Sequence, residues 1–211
     1  WLDRFDLKSV ALSKSYWKLL ILSSLCFGSF MANQSLWTEE WLRRSLGYSN
    51  DTIAGYISLM SFGVLVGLVA SRFFIWIGEK MHLNTESVVG FFMLFFVLFQ
   101  VLVIYRPIAA LYSPWFFYGF FVSAVFLSFT VLAKTFSIQV YGKVITFFLF
   151  MIYMASFAIQ YLIGLILSIW KVSIDQTRTL YGFHMAFWIV AAINIAALVW
   201  FFTLDTVEKV E

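Results

Sequence analysis

Six runs of about twenty mostly apolar residues, parted by short polar gaps, decide what this chain can fold into. A helix of about 20 residues covers the roughly 30 Å hydrocarbon core of a bilayer. The runs cover residues 17–37, 53–77, 87–105, 115–136, 144–170 and 183–202. Of the 211 residues 63% are hydrophobic and 12% charged, with a mean hydropathy of +0.91. A soluble domain carries about 45–50% apolar and about 25% charged residues, so no aqueous globule of this length could hide so much apolar surface. The 26 phenylalanines suit long lipid-facing helices. The expected fold is therefore all-α, a membrane protein of six transmembrane helices. Neither proline falls inside a run, and Pro114 stands just before the fourth.

Three regions follow. In residues 1–16, Trp1, Leu2, Phe5, Val10 and Leu12 recur among Asp3, Arg4, Asp6 and Lys8, as in a helix lying at a membrane interface. The segment is too charged for a signal-peptide core and reads as a linker from an upstream part, which makes the chain a fragment. Residues 17–204 form the bundle and residues 205–211 a tail. Direction follows from the connecting segments. Arg4, Lys8, Lys14, Lys18, Arg72, Lys80, Lys134, Lys143 and Lys209 fall on one side; Arg43, Arg44, Arg106, Lys171 and Arg178 fall on the other. The richer side is expected to be cytoplasmic, with both termini there and Glu39 to Arg44 outside.

Several chemistries lack their residues. Cys26 is the only cysteine, so no disulfide framework or cysteine metal site can form. His82 and His184 have no cysteine or carboxylate at ligand spacing, and no metal or cofactor is expected. G-x-S-x-G and P-loop motifs are missing, as are a T-V-G-Y-G filter and a series of cations within one span. An enzyme is not expected, nor ATP-driven work by this chain alone. A net charge of +3 without a basic run gives no footprint for nucleic acid. Charges avoid the span centres, and Lys134 and Glu86 come closest. Lys134 has two readings, a cation snorkelling to the interface or a group that binds an anionic solute.

Polar residues within the runs form stripes. Ser29, Asn33 and Trp37 recur every four residues with Gln34 beside them; Tyr153, Ser156, Gln160 and Gly164 follow helical spacing in the fifth run. Buried amides and hydroxyls in lipid need partners, found either between helices or in a water-filled cavity. Gly63-x-x-x-Gly67, with Gly55 two turns earlier, allows close helix approach, either as plain packing or as a sliding contact.

The loop run "GLVASRFFIWIGEK" resembles the cytoplasmic motif of the major facilitator superfamily, G-x-x-x-D-R-x-G-R-[RK], found between the second and third helices of each six-helix half. Gly67 and Arg72 fit, Gly78 fits after an insertion, and Lys80 fits the basic end. Ser71 stands where the motif has aspartate and Glu79 where it has a basic residue. The stretch "FGSFMANQSLWTEEWLRRSLGYSNDTIAGYISLMSFGVLVG" is similar to the seventh and eighth helices of bacterial sugar-phosphate-permease-type members. "GKVITFFLFMIYMASFAIQYLIGLILSIW" is similar to their eleventh, and "YGFHMAFWIVAAINIAALVWFF" suits the twelfth.

The resemblance implies the C-terminal half of a twelve-helix secondary transporter in a bacterial inner membrane. It implies three partners: the lipid bilayer, an N-terminal six-helix half (or a second copy of this one), and a small solute. The seventh and eleventh helices of the family line its central cavity, which makes Asn33, Gln34, Trp37, Tyr153 and Gln160 candidate solute contacts. Tyr56 and Tyr118, on the two other lining spans, join them. Gly67, Ser71, Arg72, Gly78 and Lys80 form the candidate gating loop, in which Arg72 is either a switching group or a topology anchor. The subfamily leans towards an organic anion, although the runs hold no arginine that could grip one. A non-transporting multi-pass subunit or scaffold is the alternative.

Overall fold

A computed structural model describes Val10, residues 12–105, 111–169 and 176–203, with the side chains of 176–179 left aside. Every element among these residues is helical. Six helices are long and apolar enough to cross a membrane. They are α1 (Lys14–Leu46), α2 (Asn50–Lys80), α3 (Thr85–Ile104), α4 (Tyr112–Thr135), α5 (Ile138–Ile169) and α6 (Gln176–Thr203). The chain is an integral membrane protein.

Local chemistry sets the helix ends. Ser13, Ser49 and Asn84 cap α1, α2 and α3 by accepting from the N–H groups of Tyr16, Thr52 and Ser87. Gly47, with φ of 67°, closes α1 in the left-handed conformation, and the Tyr48 N–H turns back to the Leu42 carbonyl at 3.2 Å. The charged stretch Glu39 to Arg44 is therefore two further turns of α1 rather than a loop. Glu39 pairs with Arg43 and Glu40 with Arg44 along that helix, while Trp41 and Leu42 face inward. Pro114 sits within the first turn of α4 rather than before it, where its missing N–H still has no helical partner to lose. The expected interfacial segment lies outside the described residues up to residue 9, and residues 14–16 already belong to α1. The tail from residue 204 also lies outside them.

Two spans are irregular. Asn33–Trp37 of α1 is π-helical, one residue wider per turn than its flanks. In α4 the Ser123 hydroxyl donates to the Phe120 carbonyl at 2.6 Å and the helix is interrupted there.

Helix α1 touches all five other spans; α2 packs on α4, α3 on α4 and α6, and α5 on α1 and α6. In the most apolar stretches of α2 and α5 28% of residues are buried, against 61% in α4. These two helices carry the bundle's bare faces.

Candidate functional site

The π turn is where α1 reaches outward in several directions. The Asn33 amide donates to the Tyr118 hydroxyl on α4 at 3.1 Å. Gln34 donates to Ser61 on α2 at 2.7 Å, and Ser35 accepts from Gln160 on α5 at 2.9 Å. Three successive residues thus bond to three different helices, because neighbours on a helix diverge by about 100° and α1 is surrounded by other spans at this level. Ser29, one turn earlier, stands beside the same Tyr118 hydroxyl, donates to the Cys26 carbonyl at 2.8 Å and accepts from Asn194 on α6.

The other candidates are dispersed around this centre. Trp37 packs edge-on to Phe183 and lies along α5, where a carbon added at Gly164 would come within 3.4 Å of its ring. Tyr118 is fully buried, stacked on Phe96 at 4.9 Å. Tyr56 is buried in an aromatic column with Tyr48, Tyr112 and Trp115. Tyr153 stands apart at 56% exposed, near the middle of α5 on its bare face. A hollow of about 390 Å³ opens between Leu36, Trp37, Gly164, Leu167 and Phe183, with Glu40 and Arg44 at its rim.

Two polar clusters were not singled out from the sequence. Asn194 on α6 donates to Ser29 on α1 at 2.9 Å and to Gln100 on α3 at 2.8 Å, all three side chains buried. The signal was present, since Gln100 and Asn194 are isolated amides in otherwise apolar runs. Near the opposite end of α1, Lys18 is only 4% exposed. Its ammonium lies 3.9 Å from Glu86 and 5.1 Å over the Phe201 ring, and Ser15 donates to the same carboxylate at 2.7 Å. Lys18, rather than Lys134, is thus the cation drawn inside; Lys134 is exposed, bonded to Thr85 and paired with Glu79.

In the loop-motif region Gly67, Ser71 and Gly78 are buried on the inner face of α2, whereas Arg72 and Lys80 are exposed. The Lys80 ammonium sits 3.8 Å over the Trp76 ring. Gly67 meets the Phe120 carbonyl and Ser123 of α4.

No family model and no curated protein sequence matches the chain. Among solved structures it is similar to the crystal structure of a bacterial homologue of the human lysosomal transporter Spinster, in an inward-facing and occupied conformation. The TM-score is 0.65 at 11% identity, over 92% of this chain and 49% of that one. The chain spans about half the length of that transporter. Its fold is a six-helix bundle like that of about half of that transporter. Identity at this level speaks for the fold alone, and for this half-bundle it agrees with the six spans read from hydropathy.

Proposed function

We propose that the chain is the C-terminal half of a secondary transporter that moves a small solute by alternating access. The observation that carries this is the fold, shared across nearly the whole chain with half of a transporter. The bare face of α5 supports it, because it exposes Tyr153 and Tyr161, whose hydroxyls lipid alone would leave unpartnered. A second six-helix bundle across a water-filled cleft would give those groups company. On this reading the residues ahead of α1 end the central cytoplasmic loop, the bundle runs from α1 to residue 204, residues 205–211 are a tail, and both termini are cytoplasmic in a bacterial inner membrane.

Asn33, Gln34, Trp37, Tyr153 and Gln160 then face the cleft, with Tyr56 and Tyr118 setting the wall behind them. Gly67, Ser71, Arg72, Gly78 and Lys80 form the cytoplasmic hinge region. The exposed Arg72 guanidinium is available to repartner as the bundles rock, a use in which its planar fork matters more than its charge.

The test is uptake by the full-length protein in proteoliposomes. Asn33→Ala and Gln160→Ala should each lower uptake while the protein still reaches the membrane, and Arg72→Lys should slow turnover with little change in apparent KM. Wild-type uptake by both amide variants would remove these residues from the site. Cysteines at Ser49 and Met81 should label from opposite faces of a sealed vesicle; labelling from one face would overturn the topology.

A further inference from the structure

The π turn of α1 leaves two buried polar atoms without partners. The Asn33 Oδ1 has none, and turning the amide over would merely leave its nitrogen bare instead. One turn on, the Trp37 indole N–H is also buried and unpartnered. Buried polar atoms are nearly always satisfied, so an orphan acceptor and an orphan donor one turn apart mark a place where something else binds. Charge limits what that is. Residues 19–38, 52–71, 112–133 and 144–169 contain no acidic, basic or histidine side chain. The charges closest in sequence to Trp37 at the hollow, Glu40 and Arg44, are paired with each other. Among the described residues an ion brought to the π turn would find no unpaired counter-ion, and it would lose its hydration. The adjoining hollow has mainly apolar walls, and Gly164 leaves the indole edge uncovered.

From this we infer that this half of the site recognises a neutral solute through a hydroxyl or carboxamide. That group accepts from the Trp37 N–H and donates to the Asn33 oxygen, while an apolar face of the solute lies along the indole. The inference rests on the transporter reading of the same site and names its solute class, against the organic anion that the sequence resemblance favours. Neutral groups of this kind satisfy both orphans at once, which a carboxylate or phosphate, acceptors only at neutral pH, cannot do.

The full-length protein would be reconstituted in vesicles and offered one equimolar mixture. It would contain sugars, polyols, nucleosides and amides beside sugar phosphates, organic acids and amines, with the accumulated compounds identified by mass spectrometry. Neutral hydroxyl- or amide-bearing compounds should accumulate. Their apparent KM should rise roughly tenfold or more in Trp37→Phe and in Asn33→Leu, because each leaves a solute polar group unpaired. Asn33→Ser, which keeps a hydroxyl, should recover part of the loss, and melting temperatures would separate binding from folding. Accumulation of charged compounds alone would overturn the solute class and leave the transporter reading standing. Neutral accumulation with unchanged KM in these variants would mean that water satisfies both atoms, and the inference would fall. No accumulation of any compound would count against the transporter reading and this inference with it.

Discussion

Where α2 crosses α4, Gly63 faces the backbone of Phe116 and Phe120, and Gly119 faces the Met60 carbonyl in return. Where α1 meets α3 and α6, the contact is instead made by the Ser29, Asn194 and Gln100 side chains, bonded at 2.8–2.9 Å. Lipid offers no hydrophobic drive between helices, so a bundle must use either close packing or hydrogen bonds. The first contact has shape and no direction; its partners can shift along one another without leaving a polar group bare. The second is directional, and any shift breaks bonds that lipid cannot replace. The α2–α4 pair therefore suits sliding, and the α1–α3–α6 node suits a frame that moves as one body.

The largest effect should come from filling the glycine contact. A methyl carbon at Gly119 would overlap the Met60 carbonyl, backbone that cannot turn aside. Gly119→Leu should abolish the folded bundle, and Gly119→Ala should cost about 1–3 kcal/mol, read as a lower melting temperature in detergent. Gly142→Ala, with open space around it, serves as the control and should change nothing beyond noise. If Gly119→Ala melts like wild type, the backbone contact is looser than described and the contrast with the node collapses.

The ionic end of the frame should come next. Lys18→Met strands Glu86 in a mostly buried position and should cost about 1–3 kcal/mol. The double change Lys18→Met with Glu86→Gln should recover much of it, since the uncompensated charge is gone. No recovery would mean that Lys18 acts through its packing on Phe201 rather than through the pair.

The neutral node should respond less. Asn194→Leu should cost about 0.6–2 kcal/mol, because polar contacts in membranes are worth little more than in water. Its sharper test is the double change Gln100→Leu and Asn194→Leu, which removes the bonded amides together and should melt above the single Asn194 variant. A double variant that melts lower would show that volume, not hydrogen bonding, holds α3 and α6 to α1. Smallest of all, Arg43→Ala removes an exposed pair and should cost no more than about 0.5 kcal/mol.

Much of the fold was legible in the residues, because the bilayer asks for a length and a hydropathy that can be counted locally. The six spans agree with the helices to within a few residues at most ends, and the close approach expected of Gly63 and Gly67 is present against α4. The candidate site was legible only in part. Periodicity placed Ser29, Asn33 and Trp37 on one face under the assumption of a regular helix; Ser29 and Asn33 do meet at Tyr118, whereas the π turn removes that assumption between Asn33 and Trp37. Likewise Tyr153 and Ser156 share a stripe in sequence, yet Ser156 is buried against α1 beside Gly28 while Tyr153 stands on the bare face.

The sequence by itself determined that this chain lives in lipid, how often it crosses, and where most of its helices start and stop. Those properties depend on hydropathy, caps and turn residues that act over a few positions. Only the tertiary structure decided which polar groups meet. Lys18 finds Glu86 68 positions away, Gln160 finds Ser35 125 away, and Asn194 finds Ser29 165 away. Pairings at such separations depend on how the helices are arranged around α1, which decides that three neighbouring side chains, Asn33, Gln34 and Ser35, meet three different helices.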